Sequence, residues 1–408
     1  MSTLEGSSSI ADSSGNLLFY TDGINIWNKN HIVMPNGSGL LSDESSTQAA
    51  LIVKQPGINP FYYVFTTDAF EFSNGLQYNI VDMTLQGGLG DVSLLNAPLN
   101  TPCDEKICAV GHANGVDVWL INSASYGDTI YAYRITPAGL NPAPVISPIR
   151  NVNDPFNFAG QLKASPLGNK LAVCLPDSGF EIYDFDNATG AVSNPVSIFN
   201  YPYIYGAYGI EFSPDGSRLY GSLHSDHKIY QFDLLAGSPS AIVASATLIS
   251  SIARSYGSLQ LAPDNKIYVA EVGGNSIGVI NDPNQLGTAC NFVNSSISIS
   301  GSCIYGLPNF QTPPANLQSV DFSQKEGLSL KLYPNPSEAE LNVEISSSIE
   351  SVPVISVYNL LAEKVNVVFI KRQGSENYFA DVSGLSQGIY YVEVACVNKR
   401  CRSVMMKK

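Results

Sequence analysis

Tyr208-Gly209-Ile210-Glu211-Phe212-Ser213-Pro214-Asp215-Gly216-Ser217-Arg218-Leu219-Tyr220 reads as strand, turn, strand. Apolar and polar side chains alternate up to Phe212, the period of a half-buried strand. Proline at the second turn position presets φ near about −65°, and Asp-Gly closes the turn. The same punctuation recurs on both sides. Ser165-Pro166-Leu167-Gly168 precedes Lys170-Leu171-Ala172-Val173, and Ala262-Pro263-Asp264-Asn265 precedes Lys266-Ile267-Tyr268-Val269, so the three prolines stand 48 and 49 residues apart.

Each turn is followed by a further alternating stretch: Gly179–Asp186, Lys228–Asp233 and Ser276–Asn281. Looser copies precede them at Asn16–Thr21, Phe61–Thr66 and Lys106–Val110 with Val116–Leu120. A period of this length with about four short strands per unit is that of a β-propeller blade. Six units are counted. Tyr305-Gly306-Leu307-Pro308-Asn309-Phe310 lines up with the strands at Tyr208 and Tyr256 and begins a seventh that no further strands complete. The expectation is an all-β chain: a seven-bladed β-propeller over residues 1–310, truncated at its amino terminus with its seventh blade incomplete.

Composition agrees with an exposed β protein. Charged residues are 14% of the 408, against roughly a quarter in an average soluble chain. Residues 1–324 hold 11 Lys and Arg against 26 Asp and Glu, while residues 325–408 hold 10 against 9. An acidic body has too few cations for phosphate contacts, which excludes nucleic acid as a partner. No apolar run is long enough for a transmembrane helix. Met1–Gly6 has neither a basic nor an apolar leader region, so a signal peptide is expected upstream of the chain.

Beyond Gln311-Thr312-Pro313-Pro314 the pattern changes. Residues 311–327 are polar and carry paired prolines, a semi-rigid spacer. Residues 328–408 hold about seven short alternating strands, enough for a small Ig-like sandwich. Leu332-Tyr333-Pro334-Asn335-Pro336 opens this region; Leu385-Ser386-Gln387-Gly388-Ile389-Tyr390-Tyr391-Val392 leads to a last strand ending in Lys407-Lys408. In Pro334, Asn335 and Pro336, in Gly388 and Tyr390, and in the basic end, the segment resembles the type A carboxy-terminal sorting domain of the type IX secretion system. That resemblance implies an Ig-like export address, the secretion machinery as partner, and a secreted or outer-membrane surface location. The stretches Leu17–Gly23, Met34–Gly37, Ser45–Gln48, Val81–Met83, Tyr208–Gly216 and Gly306–Phe310 resemble secreted Bacteroidota propeller proteins, related in style to lactonase-type propellers.

Candidate site residues follow from the propeller reading. Asp22, Asn28, Thr47, His112 and Glu211 lie on or beside first strands, where a central channel can gather polar groups on a ligand; turn capping is the alternative for each. His224, Asp226 and His227 are weak metal candidates, because His-Ser-Asp-His is also ordinary turn composition. Seven cysteines lack zinc spacing. In an exported chain the close pairs Cys290 with Cys303 and Cys396 with Cys401 fit disulfides, with buried thiols as the alternative. No nucleophile elbow, phosphate loop or zinc helix is present. The sequence therefore favours a binding module for an extracellular carbohydrate or protein, without a cofactor, over a lactonase-like hydrolase that would need a general base or metal at the channel mouth.

Overall fold

The computed structural model describes residues 3–12, 14–69, 73–124, 128–149, 157–200, 206–251, 254–312, 329–346, 353–358, 364–372, 377–396 and 399–407. It divides into two compact units, Met1–Ala315 and Asn316–Lys408. The expected spacer lies outside the described residues except for Gln311 and Thr312, and Thr312 belongs to the first unit, its N–H donating to the Ala109 carbonyl at 2.7 Å.

The first unit is built from six antiparallel sheets. They comprise β1 (Ser7–Ala11), β2 (Leu17–Thr21), β3 (Asn25–Asn28) and β4 (Val33–Ser38); β5 (Ala50–Lys54), β6 (Phe61–Thr67), β7 (Leu76–Asp82) and β8 (Asp91–Asn100); β9 (Cys103–Gly111), β10 (Val118–Ala124) and β11 (Thr129–Thr136), with β12 (Gly139–Leu140) and β13 (Val145–Pro148) both on β11. The second half adds β14 (Leu162–Ala164), β15 (Lys170–Leu175), β16 (Gly179–Asp186) and β17 (Ala191–Asn200); β18 (Ala207–Phe212), β19 (Arg218–Leu223), β20 (Lys228–Asp233) and β21 (Thr247–Ser251); and β22 (Tyr256–Leu261), β23 (Ile267–Glu271), β24 (Ser276–Ile280) and β25 (Phe292–Ser298). The repeat read from the turns thus folds as one sheet per unit. First strands such as β5, β9 and β22 are buried up to or through their last residue, whereas fourth strands such as β21 and β25 are largely exposed. Apolar side chains of successive sheets interlock, as where Val110, Trp119 and Ile121 meet Leu171, Val173 and Phe185.

The first strands are joined in a closed cycle of hydrogen bonds at one end. Gly6 donates to the Ser46 carbonyl, Gln48 to Glu105, Glu105 to Phe158, and Gln161 to Tyr208, all at 2.9–3.2 Å. The Gly209 N–H reaches the Gly257 carbonyl through the Ser222 hydroxyl, with both links at 2.8 Å. Ser258 then donates to Tyr305, and Tyr305 to Leu4, at 2.8 and 3.1 Å. The segment around Tyr305 so takes a seventh place, between the sixth sheet and the first.

Six full sheets form among the described residues, and the seventh place holds one segment whose strand β26 (Pro308–Asn309) pairs parallel with β1. Tyr305 is bonded there on both sides, to Leu4 and to Ser258. Glycine makes the close approach feasible. A Cβ on Gly257 would lie 2.1 Å from the Tyr305 carbonyl oxygen, and one on Gly306 would lie 1.8 Å from that of Glu5. The recurring Tyr-Gly pair marks where neighbouring backbones touch.

The second unit has two four-stranded sheets. One orders β27 (Ser329–Tyr333), β28 (Glu340–Ser346), β32 (Asn377–Asp381) and β31 (Ile370–Lys371); the other orders β30 (Lys364–Val365), β29 (Val354–Tyr358), β33 (Gly388–Cys396) and β34 (Lys399–Lys407). Leu332, Leu341 and Val343 of the first sheet share one apolar core with Val357, Val392, Val394 and Met405 of the second. Sequence alternation produces this directly, since each strand sends every other side chain inward.

Candidate functional site

The channel between the first strands is filled by amides. The Gln48 side-chain oxygen accepts the N–H groups of Ile107 on β9 and Leu162 on β14, at 3.1 and 2.8 Å. Its nitrogen donates to the Leu162 carbonyl and to the Asn309 side chain. Gln161 repeats the device half a turn on, accepting Ile210 of β18 and Leu259 of β22 at 3.1 and 3.0 Å. Asn309 donates to the carbonyls of Ala50 and Ile107, and its own carbonyl accepts the Ser8 hydroxyl. First strands other than β1, which pairs with β26, lack a sheet partner on their inner side, and these amides bond groups left over there.

Below the amides, Lys163 on β14 stands 3.3 Å from the Glu211 carboxylate and donates to Gln260 at 2.6 Å. Glu211 also accepts the N–H groups of Phe212 and Leu261. This sequence candidate is therefore a buried, fully engaged structural ion pair. Lys163→Met is expected to cost about 3–5 kcal/mol in denaturant unfolding, because a carboxylate loses its cation away from water. Adding Glu211→Gln to that variant should recover part of the loss.

Above the amides lies a cluster that sequence reading captured only through Thr47. The Thr47 N–H and hydroxyl both donate to the same Glu105 oxygen at 2.8 Å, and the hydroxyl accepts the Gly160 N–H at 3.1 Å. Tyr208 donates its phenol proton to Glu5. Thr47 and Glu105 are 2% exposed, while Glu5 and Tyr208 retain some surface. Burial lifts the Glu5 carboxyl to about 7 against the hydrogen bonds from Tyr208 and Thr47, and Asp43 adds to the rise. Burial, followed by the nearby Glu5, lifts Glu105 to about 8. The Tyr208 phenol is also raised well above its usual range, by burial first and then by Glu5. The rings of Tyr208, Tyr305 and His224 flank this mouth, with centroids 5.0–6.3 Å apart.

Two carboxyls, a hydroxyl and a phenol, from the strands β9 and β18 and from the segments before β1 and β5, thus converge on one mouth, the two carboxyls raised to about 7 and about 8. Glu5, Glu105 and Tyr208 carry no motif. For Glu105 and Tyr208 the one sequence signal is register, since each stands two residues before the one whose N–H the Gln48 or Gln161 amide accepts, Ile107 and Ile210.

Apart from His224, whose ring flanks the mouth, the other candidates do not join this cluster. Asp22 accepts the N–H groups of Ile24 and Asn25, and Asn28 those of Asn30 and Ile32, so both serve turns. His112 stacks on Trp119 at 5.2 Å and accepts the Asn114 N–H; burial and then Arg134 lower its pKa. Asp226 bonds Lys228, His227 meets the Ser255 hydroxyl, and His224 faces Tyr305, so the three point to different partners around a turn. Cys290 and Cys303 are free, which corrects the expected disulfide. Cys290 ends a 3-10 turn beside Tyr220 in the core, whereas Cys303 pairs its backbone with Gly273 and Gly274 at a turn. The side chains of Cys396 and Cys401 lie outside the described residues; their backbones pair with Lys399 and Val394, not with each other. Burial raises the other thiols as well, Cys108 and Cys174 to about 12.

In the second unit the Pro334-Asn335-Pro336 bend folds onto β34. The Asn335 side chain accepts the Met406 N–H at 2.8 Å, and Ser337 donates to the Met406 carbonyl at 2.7 Å. Tyr390 donates to the Ser386 carbonyl at 2.9 Å, pinning the turn before β33, in which Gly388 is the first residue.

Residues 331–407 match the family described as the secretion system C-terminal sorting domain. The second unit is therefore a type IX sorting domain, which directs secretion to the cell surface or beyond. No curated protein matches the sequence. Among solved structures, the periplasmic gluconolactonase of Pseudomonas aeruginosa is 14% identical, with a TM-score of 0.42 over 92% of this chain and 98% of that one. A putative 6-phosphogluconolactonase from Bacteroides uniformis is 14% identical with a TM-score of 0.43 over 85% and 93%. Virginiamycin B lyase from Staphylococcus aureus is 14% identical with a TM-score of 0.43 over 72% and 86%. Among the described residues no helix is long and apolar enough to cross a membrane.

Proposed function

We propose that the propeller-like body is a binding module which its sorting domain carries out of the cell, there to engage a carbohydrate or a protein. The observation that supports this reading is the amide filling of the channel. Gln48 is 1% exposed and bonded on both its oxygen and its nitrogen. Ligands are then met at a mouth bordered by Tyr208, Tyr305, His224 and the Glu5 carboxyl, groups suited to stacking on a sugar ring and bonding its hydroxyls.

Two arms test the proposal. In a host with type IX secretion, removal of residues 331–407 is expected to leave the body inside the cell envelope; undiminished export would sink the address. On glycan and protein arrays the purified chain should bind a defined ligand class, and Tyr208→Ala should weaken that binding about tenfold or more, as for loss of a hot-spot aromatic.

One observation favours a second reading, hydrolysis. Glu5 and Glu105 titrate near neutrality, as a general acid must. On that reading a panel of lactones and esters should show turnover that Glu105→Gln abolishes, and its absence favours binding.

A further inference from the structure

In the first unit each sheet from the first to the fifth packs one face against the next, and an apolar cluster fills every one of these contacts. Among the described residues no such cluster joins the sixth sheet back to the first. Equivalent positions show the difference. Tyr220 of β19 stands opposite Glu211 and Tyr268 of β23 opposite Gln260, yet Tyr220 is fully buried against the sixth sheet and Tyr268 only half-buried. Ile229, opposite Ser222, is fully buried as well, whereas Ile277, opposite Ala270, is half-buried. Farther out on that face of the sixth sheet, Val293 opposite Val279 and Ile297 opposite Ile277 are 41% and 39% exposed.

The first sheet shows the same on its other side. Phe19, Ile26 and Met34 are buried against the second sheet. The opposite face carries the row Tyr20, Trp27 and Val33, paired across β2, β3 and β4. Its two rings stack at 5.4 Å and stay half-buried, and Val33 is exposed. Two uncovered faces therefore flank the seventh place, where the Tyr305 segment supplies a first strand.

The wiring of the ring says which strands belong between them. A fourth strand leads directly to the next first strand, β4 to β5, β8 to β9, β17 to β18 and β21 to β22. By the same step β25 leads to the Tyr305 segment, and among the described residues no later strand returns to this place. β1 is entered through Leu4–Gly6, whose Leu4 carbonyl accepts the Tyr305 N–H at 3.1 Å. The chain thus comes into β1 from the seventh place, as β5 is entered from the first sheet.

We propose that the seventh place is a docking seat for three antiparallel strands of this protein's own polypeptide, the stretch of about 40 residues that leads into Leu4. They add to the Tyr305 segment as its second, third and fourth strands. Alternation gives such strands two apolar faces, one to cover Tyr268, Ile277, Val293 and Ile297 and the other to cover Tyr20, Trp27 and Val33. Neither wall offers a charge among these residues, so a charged segment would be buried there without partners.

The test compares the 408-residue chain with one extended by the residues that its gene encodes ahead of Met1. Trp27 reports on the seat, because Trp119, the other tryptophan, is buried. Acrylamide is expected to quench Trp27 several-fold less in the extended chain. Val293→Asp should leave the thermal midpoint of the 408-residue chain nearly unchanged, as for a surface substitution. In the extended chain the same change should lower it by about 4 °C or more. Ile297→Asp serves as a second variant should the first fail to fold. Equal quenching of both chains, an equal effect of Val293→Asp in both, or a gene too short ahead of Met1 for three strands would overturn the proposal. A 408-residue chain that runs as a dimer with Trp27 shielded would overturn it too, since a second copy would then hold the seat.

Discussion

Gly306→Ala is expected to lower the thermal midpoint of the first unit more than other single-methyl additions in the chain. The new Cβ would stand 1.8 Å from the Glu5 carbonyl oxygen and 2.3 Å from its carbon, which are backbone atoms with no rotamer to move into. The closing segment must shift away, and with it the Tyr305 bonds to Leu4 and Ser258. Overpacking of this kind costs about 3 kcal/mol and more where backbone is the obstacle. Gly257→Ala should behave alike, since its Cβ would meet the Tyr305 backbone at 2.1 Å. Gly111→Ala is the control, with nothing within 4 Å of the added carbon, and should stay within about 0.5 kcal/mol of the wild type. Calorimetry or denaturant titration of the three variants checks the ranking, and a Gly306→Ala protein as stable as Gly111→Ala would refute the close approach.

Gln48→Leu should be the second large loss. Leucine fills a similar volume and keeps the shape, so the experiment isolates hydrogen bonding. The N–H groups of Ile107 and Leu162 lose their acceptor inside the channel, and the Asn309 side-chain oxygen loses a donor. Leaving buried polar groups unpaired costs about 1–3 kcal/mol each, so about 4 kcal/mol is expected in all. Gln48→Glu provides a second reading. It keeps the acceptor but buries an added charge away from water, and should recover stability as pH falls and the acid becomes neutral. A Gln48→Leu protein that unfolds at the wild-type denaturant midpoint would mean that the strands hold together without this bridge.

Much of the fold was legible because turn chemistry is local. Ser-Pro-Asp-Gly sets its own dihedrals whatever surrounds it, and alternation of apolar residues sorts strand faces over a few positions. The site was far less legible. Asp22 and Asn28 stood out by residue type, yet such side chains bond their own backbone two to four residues on, and so they do here. His112 was chosen as a rare chemical group, but its place is between sheets, on Trp119. Glu211 was expected to face the channel; what went unread was Lys163, its partner across to the next first strand.

By itself the sequence determined the repeat, the all-β class and the export address, since each rests on a local pattern: a turn, an alternating strand, or the short run Pro334-Asn335-Pro336. Only the tertiary structure decided how the ring closes and where its chemistry collects. The Tyr208 bond to Glu5 spans 203 residues of chain, that of Gly160 to Thr47 spans 113, and that of Thr47 to Glu105 spans 58. No local pattern encodes such meetings, because each side chain is ordinary in its own strand and acquires a raised pKa or a bridging role only from the low-dielectric surroundings that the other sheets supply.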